Sequence, residues 1–250
     1  MDRKIQEQFT TFWGRYFNDA ELPIVFYYTD KEDRAEKVKP GTVARCIIGA
    51  LAKVRQGKSL SFSGEAIGCF GGRRYLGFAT EIRPDFEYFL SCGIPGKLEG
   101  ERYKKSPGIV KKSMEYMPAF KAPAKYIVFK RWDKLVAADN PEVVIFFAPP
   151  DVLSGLFTLH NYDRTEPNGV IAPFGSGCSS IVSHPYREVN ARQPHAVLGM
   201  FDVSARPFVA ANELTFAVPM KRLAVMLKNA EQSFLITKSW KAIRKRTQKY

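Results

Sequence analysis

The stretch "PEVVIFFAPPDVLSGLFTLHNY", residues 141–162, decides the fold class. Its first ten residues are an almost unbroken apolar run, the pattern of a strand covered on both faces. Pro150 then opens a helix over 150–162, in a first-turn position where its missing N–H costs nothing. A doubly covered strand that feeds directly into a helix is the grammar of a layered α/β protein.

Working outward, residues 1–17 place Ile5, Phe9, Phe12, Trp13 and Tyr16 at spacings of three and four, an amphipathic helix. Short aromatic and β-branched runs predict strands at 21–30, 58–63, 124–132, 195–206 and 213–220. Helices are expected at 42–57, with Thr42 as N-cap and Gly57 just past the end, and at 83–93, 106–120 and 220–234. Residues 30–41 read as a charged loop, and 169–189 as a short strand, a glycine-rich turn and a helix. Strands alternate with single helices, so the class is α/β (or α+β), a single compact domain with a mixed sheet and two pseudo-repeated halves. The organisation expected is an N-terminal amphipathic helix at 1–20, a main domain at 21–232 with half-repeats near 21–80 and 141–218, and a basic C-terminal helix or tail at 233–250.

Bulk composition narrows the classes. The chain has 250 residues, 45% of them hydrophobic, enough for a core that needs no covalent staple. Its four cysteines are too few for a disulfide framework at this length. The segment "MDRKIQEQF" is charged and offers no signal-peptide core, and no apolar run reaches membrane-spanning length. A cytoplasmic protein with free thiols is the expectation, with no membrane partner. The net charge of +13 gathers in 102–113 and in the tail 238–250, which has six Lys/Arg and no acid. Polyanion binding through that tail is one reading and a solvated surface the other; no nucleic-acid motif accompanies it, so nucleic acid is not expected. A homodimer is left open.

A self-comparison points to a site. Cys46 opens a helix, a strand follows, then Gly68-Cys69-Phe70-Gly71 and the pair Arg73-Arg74. In the second half Cys178 opens a helix, a strand follows, then Gly199-Met200-Phe201-Asp202 and Arg206. Cys46 to Gly68 is 22 positions and Cys178 to Gly199 is 21. If the halves pack about a pseudo-twofold axis, Cys46, Cys69, Cys178 and Met200 converge. Sulfur ligands in one place suit a soft metal or an iron–sulfur cluster.

The segments "ARCIIGALAKVRQGKSLSFSGEAIGCFGGRRYLGF" (44–78), "PEVVIFFAPPDVLSGLF" (141–157), "GSGCSSIVSHPY", "HAVLGMFDVSAR" and "ELTFAVP" together resemble the bacterial and archaeal family called domain of unknown function 169, over residues 20 to 230. The resemblance implies no established activity. It implies cysteines at the positions of Cys46, Cys69 and Cys178, and in many members a Gly-Cys pair where this chain has Gly199-Met200. That departure leaves a three-cysteine site with an open or remodelled fourth corner.

Each candidate has a plain packing alternative. Cys46, Cys69 and Cys178 are the candidate metal ligands, although free cysteine is also a common core residue. Gly68, Gly71, Gly72, Gly177 and Ser179 could let backbone N–H groups meet a small anionic ligand, with Arg73, Arg74 and Arg206 supplying charge. Structural ion pairs would use the same arginines. Cys92 reads as structural. Of His160, His184 and His195, His184 alone follows Cys178 closely enough to reach the site. "GCFGGRRYLG" lacks both the Walker ending and the G-x-G-x-x-G register, and Glu65 has no carboxylate partner, so no catalytic motif is recognisable. The function expected is a ligand-binding protein with a cysteine-containing cleft. Its occupant is an iron–sulfur cluster or soft metal, or, without metal, a small anionic metabolite.

Overall fold

The computed structural model describes residues 1–31, 34–41, 46–116 and 120–247. Within them the chain runs α1 (Arg3–Tyr16), β1 (Ile24–Thr29), β2 (Glu36–Lys37), α2 (Ile47–Arg55), β3 (Leu60–Phe62), α3 (Phe70–Tyr75), α4 (Phe86–Phe89), α5 (Pro107–Glu115), β4 (Tyr126–Arg131), β5 (Val143–Ala148), α6 (Pro150–Asn161), β6 (Val170–Ile171), a π-helical turn (Ser179–Ser183), α7 (His184–Arg187), β7 (Ala196–Gly199), β8 (Leu214–Pro219), α8 (Met220–Asn229) and α9 (Lys238–Thr247). The fold is α/β, as the sequence predicts. Thr42, the expected N-cap, and residues 117–119 at the end of the expected 106–120 helix lie outside the described residues.

The described strands form one mixed eight-stranded sheet in the order β2-β3-β4-β1-β5-β8-β7-β6. β1 and β5 meet antiparallel at its centre, with Ile24 opposite Ile145. At one edge β2 runs parallel to β3, and at the other β6 runs parallel to β7. Strand order and pairing sense therefore read the same from either edge. Both edge strands have two residues, which leaves little unpaired backbone to recruit another chain.

β5 shows why the sequence dictates three layers. All six of its residues are buried. Val144, Phe146 and Ala148 join the core beneath α1, α6, α8 and α9, and Val143, Ile145 and Phe147 join the core beneath α2 and the π-helical turn. This is the period-2 alternation of a strand with two apolar faces. In the first core Phe9, Trp13, Phe17 and Trp240 form a chain of ring contacts, with 5.1 Å between the Phe17 and Trp240 centroids. A β-carbon at Gly155 would lie 2.3 Å from the Trp240 ring, so the glycine is what lets α9 dock on α6. The first and last helices of the chain thus share one core.

Four local expectations change. The loop at 30–41 contains β2. The helix expected at 83–93 shrinks to Phe86–Phe89, because Asp85 sits at φ 59° and the chain turns into a knuckle at Gly93 (φ 75°). The strand expected at 195–206 ends at Gly199, where Met200 adopts φ 70°. The helix expected at 220–234 ends at Asn229 and continues as two 3-10 turns.

Lys130 of β4 is buried against Asp139 (Nζ–Oδ1 2.7 Å), which also accepts from the Tyr27 hydroxyl at 2.7 Å and the Val136 amide at 2.8 Å. Removing one partner of a buried pair leaves the other charge uncompensated. Asp139→Asn should lower unfolding free energy by about 3–5 kcal/mol, and the double change Lys130→Met, Asp139→Asn, which removes the orphaned ammonium and keeps an acceptor for the Tyr27 hydroxyl, should recover part of it. Urea unfolding of the three proteins checks this.

Candidate functional site

The site is built where three chain segments meet on the α2 face of the sheet. Cys46 is the N-cap of α2, with extended backbone (φ −58°, ψ 134°) ahead of the first helical residue. Cys178 is buried at the start of the π-helical turn. The two thiols influence each other's ionisation more than any other group does, and the consequences for the two are opposite. Cys178 is the largest influence on Cys46. Together with the Ile48 and Gly49 backbone amides it outweighs burial and the nearby Asp202 carboxylate, and Cys46 comes down to about 7. Cys178 is pushed well above the usual thiol range, by Cys46 first and by burial second, with the charges of Cys46, Cys69 and Asp202 adding to both. Of the two, Cys46 is the one that ionises more readily and Cys178 the one that keeps its proton. A helix start favours a negative sulfur.

Glycines bring the segments together by removing side-chain bulk. A β-carbon on Gly177 would lie 2.8 Å from Ala205 Cβ, 3.1 Å from Met200 Sδ and 3.5 Å from Ile48 Cγ1. Gly177 is thus the junction of the Cys178 loop, the turn after β7 and the start of α2. Gly72 is buried in α3, where a β-carbon would lie 3.1 Å from Ile67 Cγ2 and 3.7 Å from Ile47 Cγ2. The stretch at 63–78 is not an open glycine loop but a short helix seated beside the first residue of α2. Gly199 lets the π-helical turn sit on β7, since a β-carbon there would lie 2.3 Å from Ser180 Oγ.

The remaining predicted residues fall into two groups. Cys69 is half-buried and caps α3, its Sγ accepting from Gly72 N at 3.4 Å. Its charge reaches Cys178, but among the described residues no three His, Cys, Asp or Glu side chains stand close enough to share one ion. The thiolate set of an iron–sulfur cluster is not assembled here. The arginines are engaged with backbone. Arg73 donates to Ile67 O (3.2 Å), Arg74 to Thr80 O, and Arg206 to Glu213 O, Ala210 O and Ala211 O. Ser179 Oγ donates to Ser176 O at 2.7 Å. Gly68 is exposed, and Gly71 is partly buried beside Tyr75 and Cys69. His184 is partly buried and lies near Gly175, with Nε2 3.7 Å from where a β-carbon there would stand, and burial lowers its pKa. His160, in the last turn of α6, lies against Phe216, and His195 pairs with Glu188 at 3.0 Å. Cys92 is exposed and lines a surface cavity of the 92–102 knuckle.

Sequence reasoning missed Asp202. Its Oδ2 accepts from Gly177 N at 2.9 Å and its Oδ1 from Ser204 N at 3.0 Å and Ser204 Oγ at 2.8 Å. The signal was present: an Asp two residues before a Ser is an Asx-turn pattern. Its negative charge raises the pKa of Cys46, Cys178 and Tyr75 alike. Beside these polar groups stand exposed apolar side chains, Phe70 after Cys69, Phe201 after Met200, and Phe174 under Lys104 at 4.1 Å.

The fold is an α/β sheet with Cys46, Cys178 and Asp202 on one face. The chain belongs to the DUF169 family, described as uncharacterised ArCR, which matches residues 19–229. No curated protein and no solved structure matches it.

The pairing of the two thiols sets a measurable acidity. The rate of Cys46 alkylation by iodoacetamide should titrate with a midpoint about 7 in the native protein. In Cys178→Ala, which removes the largest influence, the midpoint should rise toward the ordinary thiol value of 9.0. Peptide mass mapping across a pH series reads both.

Proposed function

We propose that this is a ligand-binding protein whose site is the cysteine cleft, and that its occupant is a soft metal ion held by Cys46 and Cys178. The observation that carries the reading is the seating of Gly177, the residue before Cys178, where a β-carbon would lie 3.5 Å from Ile48 Cγ1 in the helix that Cys46 caps. It brings together two cysteines from opposite halves of the chain, one of them with its pKa lowered to about 7. Thiolates are the ligands that soft ions prefer. An ion there would take both as thiolates, and the Asp202 carboxylate nearby favours a cation over an anion.

The anionic-metabolite reading has weaker support. The Gly177 amide of the donor-rich loop is already bonded to the Asp202 carboxylate, and Arg73, Arg74 and Arg206 already donate to backbone carbonyls. A carboxylate where an anion would sit repels it. The polyanion reading is weakened similarly, because α9 is docked through Trp240 and Arg246 pairs with Asp151.

Cadmium tests the proposal, since its thiolate complexes absorb in the ultraviolet. Reduced protein prepared without oxygen should show a thiolate charge-transfer band that saturates at one ion per chain. The band should be lost in Cys46→Ala and in Cys178→Ala and kept in Cys92→Ala. Absence of the band in the native sequence refutes the reading. Retention in both single variants refutes the assignment of the ligands.

A further inference from the structure

We infer that the thioether of Met200 is a third sulfur ligand of this site, and that it makes the site select a soft monovalent ion of the copper(I) class over zinc. The inference rests on the reading of Cys46 and Cys178 as ion ligands and adds the identity of the ion.

The first argument is position. Met200 follows β7 and is 1% exposed. Its Sδ lies 3.1 Å from the point a Gly177 β-carbon would occupy, and Ile48 Cγ1 lies 3.5 Å from the same point. Gly177 immediately precedes Cys178, and Ile48 follows Cys46 by two residues. The thioether is therefore at the junction of the two cysteine-bearing helix starts. The glycine is what admits it, since any side chain at 177 would meet the sulfur.

The second argument is backbone conformation. Met200 has φ 70°, one of three non-glycine residues with positive φ among those described. A long side chain is disfavoured there, and such residues persist where surrounding structure holds them in place. That hold is visible. The Met200 amide donates to Ser180 Oγ at 3.3 Å, Ser180 Oγ donates to Gly177 O at 2.8 Å, and Ser180 is seated against Gly199.

The third argument is ligand chemistry. A thioether is neutral and soft, a poor ligand for zinc and a good one for copper(I). Structural zinc sites take four nitrogen, thiolate or carboxylate ligands. Among the described residues no third Cys, His, Asp or Glu joins the pair, so zinc would lack protein ligands that a soft monovalent ion does not need. Two thiolates and a thioether carry two negative charges. One monovalent ion leaves a net charge of minus one within the sulfur set.

The test uses the full-length reduced protein under nitrogen. Copper(I) is offered from its bathocuproine complex and zinc from a chromophoric zinc chelator. The native sequence should take one copper(I) per chain and prefer it to zinc. Met200→Leu, of similar volume, should weaken copper(I) by roughly tenfold or more while leaving zinc uptake unchanged. Met200→Cys should move the preference toward zinc. Copper-edge X-ray absorption on selenomethionine-labelled protein gives a readout that needs no variant: a selenium scatterer in the first shell is expected. A copper shell with sulfur but no selenium overturns the Met200 assignment and leaves the two-cysteine site standing. Equal copper(I) affinity in Met200→Leu does the same. Preference of the native sequence for zinc overturns the selectivity. No copper(I) uptake at all removes both this inference and the reading beneath it.

Discussion

The antiparallel pairing of β1 with β5 is the constraint on which the rest of the structure depends. It joins the first half of the chain to the second through buried, mostly β-branched residues, Ile24 opposite Ile145 and Val25 opposite Val144. Side chains alternate along a strand, so this register sends Ile24, Val143 and Ile145 into one core and Val25 and Val144 into the other. A slip of one residue would exchange the faces. Because the strand order is the same read outward from this pair, the segments β2-α2-β3 and β6-turn-β7 each place their helix on the same face. The thiols at the two helix starts meet for that reason. Nothing local in either segment brings them together.

The fold was legible where one period dominates the sequence. The helix at 150–162 and the doubly apolar strand before it needed no tertiary information, and both appear within a residue or two. The misread elements share a cause. At Asp85 and Met200 the backbone takes positive φ at a residue that is not glycine, a choice made by tertiary contacts that propensity does not encode. β2 has two residues and no apolar pattern; it exists because its parallel partner β3 is there. The glycine-rich stretch at 63–78 has a composition that disfavours helix. Gly72 is helical because only a residue without a β-carbon lets α3 approach Ile67 and Ile47.

The candidate site was legible in part, through order and spacing. The matched run from Cys46 to Gly68 and from Cys178 to Gly199 directed attention to these two cysteines. It carries no information on how their acidities diverge, because that depends on tertiary surroundings. The arginines read either as ligands for an anion or as structural groups. Arg206 takes the second role: its guanidinium spans three carbonyls of the turn before β8.

Asp202 links the shape of the site to its charge. Its carboxylate bonds the Gly177 amide and so fixes the loop that presents Cys178, a positional role an uncharged asparagine side chain could also fill. The charge has a separate effect. It opposes ionisation of both thiols, so without an occupant the protein holds a carboxylate and a thiolate near each other at an energetic cost. Cys178 and the α2 amides offset that cost at Cys46. A cation offsets it for all the acidic groups at once. The same carboxylate that orders the loop is therefore also the charge that opposes thiol ionisation beside it.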